Sequence, residues 1–206
     1  MLVQGVVPFE LWRPRGKFHA VLEHLGLVAG RGCEVGVHLG NHAEEILNNW
    51  PGDLWLVDGW KDRPGSLEDR IFWGGDAHQL KILGMCMDRL APYCSRVHWL
   101  REFSPDAACR FADGFFDWVY LDASHGYEAV KADLEAWYPK VKDGGLFCGH
   151  DYKDGYSKGP PEFISGVKTA VDEFAAANGH VVYGQNDNWY MVSPPSGQAT
   201  GVPAPG

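Results

Sequence analysis

The chain contains no CxxC pair, no cluster of lysines and arginines and no apolar run of 18 residues, and each absence removes a class of function. Five cysteines (Cys33, Cys86, Cys94, Cys109 and Cys148) are an odd number scattered through apolar or helical surroundings. That disfavours a disulfide scaffold and suits reduced thiols in a cytosol. With 18 Lys and Arg against 27 Asp and Glu, the net charge is -9, so nucleic acid and an anionic membrane face are not expected as partners. The start, MLVQGVVPFELWRPRG, lacks a basic stretch followed by a long apolar run, so no signal peptide is expected and the reading is a cytoplasmic protein.

What is present is alternation. Short apolar runs take turns with helix-period segments, the pattern of a parallel sheet with crossover helices. It predicts helix 15–28, strand 32–37, helix 41–50, strand 53–58, helix 76–92, strand 96–101, helix 104–113, strand 116–122, helix 125–138 and strand 145–150. After a helix at 162–177, the segments HVVYG and WYMVS flank the turn residues Gln185 to Asn188, which predicts an antiparallel hairpin. The fold class is therefore α/β: a doubly wound, Rossmann-like, seven-stranded, mostly parallel sheet with an antiparallel C-terminal hairpin. One domain over 1–193, opened by an N-terminal helical segment, and a flexible Pro/Gly-rich tail over 194–206 are expected. Residues 59–75 form a long irregular connection, read as a lid or substrate loop.

EVGVHLGNH places Glu34, Gly36 and Gly40 where the first strand turns into a helix, with Asn41 and Glu44 spaced as a capping box. The glycines let backbone approach a ligand; a plain strand-to-helix turn is the competing reading. The spacing is not GxGxxG, since His38 stands at the middle position. Asp58, about 20 residues further on, ends the second strand where an acid accepts hydrogen bonds from ribose hydroxyls.

These positions, together with DWVYLDASH and KVKDGGLFCGHDY, resemble the class I S-adenosylmethionine-dependent methyltransferases over roughly residues 30–192. The block running from YLDASHGYEAV to CGHDY is most similar to the small-molecule group that contains macrocin-type sugar O-methyltransferases. The resemblance implies S-adenosylmethionine as cofactor. Glu34 and the backbone of Gly36 would meet its amino-acid part, Gly40 would complete the same cofactor-binding motif and Asp58 would meet its ribose; Trp60 would flank adenine or ribose, Ser104 would lie near the adenine, and Asp122 would lie near the methionine moiety. Trp60 reads equally well as core packing and Ser104 as a helix cap.

Asp122 and Asp151 end the fourth and fifth strands, and neighbouring parallel strands finish on one edge of the sheet. Two such carboxylates repel unless a proton or a cation lies between them. This suggests Mg²⁺ or another divalent ion, with His150, Asp154 or water as third ligand, because Tyr152 stands where the resembled enzymes carry Asp or Asn. His125, three residues after Asp122, is the candidate general base, with Asp122 beside it. No Asn/Asp-Pro-Pro-aromatic motif follows strand four, which disfavours amino methylation of nucleobases. The expectation is an O-methyltransferase for a small-molecule substrate such as a sugar or natural product. A nucleotide-cofactor oxidoreductase and a non-catalytic cofactor-binding member are the rivals, and a homo-oligomer is allowed.

Overall fold

Strands that are apolar on both faces must be covered on both faces, and the central strands of this chain are. The computed structural model describes residues 7–11, 17–62, 74–156, 164–184 and 188–194. Strands β1 (Arg31–Val35), β2 (Asp53–Asp58), β3 (Val97–Arg101), β4 (Phe116–Leu121) and β5 (Val141–His150) pair in parallel. Two short strands, β6 (Asp154–Tyr156) and β7 (Ile164–Gly166), form a separate antiparallel arm. The hairpin strands β8 (Tyr183–Gly184) and β9 (Asn188–Val192) complete a seven-stranded sheet of order β3-β2-β1-β4-β5-β9-β8, with β9 antiparallel to both neighbours.

Helices α1 (Phe18–His24), α2 (Asn41–Asn49) and α3 (Gly75–Leu90) cover one face, and α4 (Ser104–Ala108), α5 (Tyr127–Trp137) and α6 (Val167–Asn178) cover the other. The period of two divides the strands between these layers: Trp118 and Tyr120 of β4 pack with Leu22 and Ile46, while Val119 and Leu121 pack with Leu134 and Val171. Sequence order reverses between β1 and β4, and the carboxyl ends of those strands are where an open α/β sheet binds its ligand.

The expected fold class stands, with local corrections. β5 starts at Val141 rather than 145, because the pairing with β4 jumps from Phe116↔Val141 to Trp118↔Leu146 and the Lys-Asp-Gly-Gly turn is absorbed as a bulge. The helix expected at 162–177 begins at Val167, after the β6–β7 arm. The helix expected at 125–138 begins at Tyr127, so His125 precedes it. Helices expected at 15–28 and 104–113 span 18–24 and 104–108. The capping box does not form: Gly40, at φ 74°, is the N-cap of α2 without a side-chain cap, and Glu44 instead accepts from Arg89 at 2.6 Å. Most of the 59–75 loop and of the 194–206 tail, and residues 15 and 16, lie outside the described residues. Among the described residues, no helix is long and apolar enough to cross a membrane.

Candidate active site

Among the described residues, three non-glycine residues take a left-handed backbone, and all three follow strand ends on the carboxyl edge: His38 (φ 52°) after β1, Trp60 (φ 38°) after β2 and Asp151 (φ 51°) after β5. Such conformations cost free energy and persist where the surroundings enforce them.

Over β1 and β2 the enforcing group is Asp58. One carboxylate oxygen accepts from the amides of Val37 and His38, both at 2.9 Å, and the other from the Trp60 amide at 2.9 Å. The Trp60 indole N–H donates to the His38 carbonyl, and Arg101 donates to the Trp60 carbonyl at 2.8 Å. Trp60 itself is buried in the core. Gly36, at φ 90°, is where the β1 turn touches the chain leaving β4: a Cβ there would overlap the Asp122 carbonyl and Ala123. Glu34 is 1% exposed; its Oε1 faces His42 Nδ1 at 3.1 Å, while Oε2 meets no partner among the described residues. Gly40 turns into α2, with the Cys86 thiol of α3 against its open side.

Over β4 and β5, five titratable side chains converge. His125 Nε2 lies 3.6 Å from Asp122 Oδ1 and 3.3 Å from Asp151 Oδ2. His150 Nδ1 lies 3.7 and 3.2 Å from the same two oxygens, and Lys153 Nζ is 2.6 Å from Asp151 Oδ1. Hydrogen bonds from His150 and Lys153 hold the Asp151 carboxyl well below the usual carboxylate range, against the desolvation that would raise it. The ligand atoms of Asp122, His125 and Asp151 lie mutually within 4.8 Å. Val130, Asp133, Val167 and Trp189 wall a pocket that opens beside Asp122 and His125.

A family signature described as a methyltransferase domain matches residues 9–152. The chain belongs to this methyltransferase family. It is a class I S-adenosylmethionine-dependent methyltransferase, and the oxidoreductase reading falls away. Solved structures agree in fold. An O-methyltransferase from Bacillus cereus in complex with S-adenosylhomocysteine is similar at TM-score 0.56 and 13% identity, over 93% of this chain and 84% of that one. The N-methyltransferase NodS from Bradyrhizobium japonicum is similar at TM-score 0.59 and 14% identity, over 86% and 95%. A protein from Corynebacterium glutamicum gives TM-score 0.59 at 17% identity, over 90% and 84%. No curated protein matches the sequence.

The methyltransferase fold thus gathers the expected residues into two adjoining groups. Glu34, Gly36, Gly40 and Asp58 lie at the β1–β2 end, and Asp122, His125, His150 and Asp151 at the β4–β5 end. Ser104 meets the β4–β5 group only through Asp133, which walls the pocket. It opens α4, its hydroxyl donates to buried Asp133, and it accepts from the Trp137 indole at 2.9 Å. Two participants carried no signal of their own. His42 reaches Glu34 only because α2 folds over β1, and Lys153 reaches Asp151 only because the chain turns back after β5.

Proposed function

We propose that this methyltransferase transfers the methyl of S-adenosylmethionine to a hydroxyl oxygen of a small hydroxylated acceptor, a sugar or natural product. The observation that carries the reading is the convergence of Asp122, His125, His150 and Asp151 at the ends of adjacent strands, next to the Gly36 turn. A hydroxyl is a poor nucleophile until it loses its proton, and this cluster is built to take one.

The cofactor fits the other group. Buried Glu34 keeps an acceptor oxygen suited to an ammonium, Gly36 presents bare backbone, and the Asp58 carboxylate retains acceptor capacity for a diol beyond its amide bonds. When bound, S-adenosylmethionine supplies an electrophilic methyl on a sulfonium and leaves as a neutral thioether once the C–O bond has replaced the S–C bond. His125 does the rest of the chemistry. Its Nε2 faces the two carboxylates, which favours the tautomer with the proton on that nitrogen and leaves Nδ1 as the basic atom for the acceptor hydroxyl. The carboxylates of Asp122 and Asp151 then stabilise the imidazolium. Orientation supplies the remaining acceleration, because methyl transfer needs the reacting atoms in line.

A divalent ion fits less well. Asp122, His125 and Asp151 offer converging atoms, but Asp151 is already held by an ammonium and Tyr152 is turned away.

The test is calorimetric titration with S-adenosylmethionine, followed by methyl transfer from labelled cofactor to matched hydroxyl and amine acceptors. Binding with transfer to the hydroxyl series is expected. Absence of binding, or transfer confined to amines, would sink the reading.

A further inference from the structure

Both oxygens of Asp151 face a nitrogen: Oδ1 the Lys153 ammonium at 2.6 Å, Oδ2 the rings of His150 and His125 at 3.2 and 3.3 Å. The lysine is delivered there by the backbone. After β5, Asp151 turns at φ 51°, and the Lys153 amide donates back to the Asp151 carbonyl at 2.6 Å. The Lys153 carbonyl in turn accepts from the Ser165 hydroxyl at 2.9 Å and the Lys168 amide at 3.5 Å, which ties it to β7 and the start of α6.

The other oxygen donors of this segment point elsewhere. The Tyr152 hydroxyl donates to Asp172, and Asp154 accepts from the amide and hydroxyl of Thr169, at 3.1 and 2.8 Å. A hard divalent cation prefers a shell of oxygens. Here it would find two carboxylates and an imidazole, with one carboxylate oxygen already neutralised by an ammonium.

We propose that Lys153 is the resident cation of this site: its ammonium takes the place beside Asp151 that a divalent ion would hold, and methyl transfer proceeds without added metal. The proposal rests on the O-methyl-transfer reading above. The step balances with the chain's own groups. The acceptor oxygen forms the C–O bond, the S–C electron pair stays on sulfur, and the hydroxyl proton passes to His125. Lys153 is a positioning residue in this scheme, since it fixes the carboxylate that faces His125.

Mn²⁺ alone is the probe, titrated into the full chain, Lys153→Met and Lys153→Arg, with turnover measured in chelator and after Mn²⁺ addition. The native chain and Lys153→Arg are expected to bind Mn²⁺ weakly and to keep turnover in chelator within about twofold. Lys153→Met should bind Mn²⁺ at least about tenfold more tightly, because an ammonium no longer competes for Asp151, and its lowered turnover should rise with the ion. Native turnover that is abolished by chelator and restored by metal would overturn the proposal, as would equal Mn²⁺ affinity in the native chain and Lys153→Met. If no variant turns over, the O-methyl-transfer reading is what has failed. The Mn²⁺ comparison still decides, with tighter binding by Lys153→Met in favour and equal binding against.

Discussion

The two ends of the sheet's carboxyl edge use acids in opposite ways. Over β1 and β2, Asp58 accepts from three backbone amides and so fixes the main chain, and Glu34 is buried against a single imidazole. Over β4 and β5, Asp122 and Asp151 face two imidazoles and an ammonium, with His125 39% and Lys153 49% exposed. Under the proposed function, the first arrangement would hold a shape for the cofactor, and the second would hold charge where a proton moves. Substitutions at the β1–β2 end should therefore cost stability and cofactor affinity together. Those at the β4–β5 end should cost turnover and leave the fold intact.

The largest effect is expected from His125→Ala. Removing a general base lowers turnover by about 10²- to 10⁴-fold, while a partly exposed side chain ahead of α5 should shift stability by no more than about 0.5 kcal/mol. Cofactor affinity by calorimetry should stay within about threefold. A large fall in melting temperature would break the comparison, because it would make His125 a structural residue like Asp58.

Gly36→Ala is next. The backbone sits at φ 90° and the added methyl would overlap the Asp122 carbonyl, so a loss of about 2–4 kcal/mol in denaturant titrations is expected. Cofactor binding should fall with it, since the turn and the β4 exit move together. Asp58→Ala follows at about 2–3 kcal/mol, the cost of leaving amides without a charged acceptor, and Asp58→Asn should recover part of this through its remaining oxygen. Undiminished stability in Asp58→Ala would show that the His38 and Trp60 conformations are held by something else.

Much of this division was legible in the sequence because it depends on chain geometry over short range. Buried parallel strands read as apolar runs, so the ends of β4 and β5, and with them Asp122 and Asp151, could be placed on one edge. Gly36 and Asp58 followed from the β1 turn and the end of β2. The failures involve partners distant in sequence or space. The β6–β7 arm pairs across a gap that no local pattern marks, and Ile164–Gly166 read as the start of a helix. Asn41 and Glu44 had capping-box spacing, but left-handed Gly40 took the N-cap and Arg89, 45 residues away, took Glu44. Lys153 lies two residues from Asp151, and nothing in a period of two or 3.6 predicts that the chain folds back there.

The smallest predicted effect comes from a residue remote from both ends, His180, which shows whether acid sensitivity must arise at the carboxyl edge. Its ring packs against Tyr138 at 4.9 Å and stacks on Phe174, and neither nitrogen finds a hydrogen bond among the described residues. Burial therefore lowers its pKa. The unfolded chain, with an ordinary histidine titrating near about 6.5, binds the proton more readily than the native one. Stability from this residue is thus fully present above that pH, declines as the pH falls through it, and levels off below the lowered native value. His180→Phe should flatten this part of a stability profile measured by denaturant titration between about pH 7 and 5, leaving the steeper loss at lower pH to paired carboxylates such as Asp151. An unchanged slope in His180→Phe would show that burial of this ring contributes nothing to the acid sensitivity in that range, which would then arise from other groups such as the β4–β5 cluster.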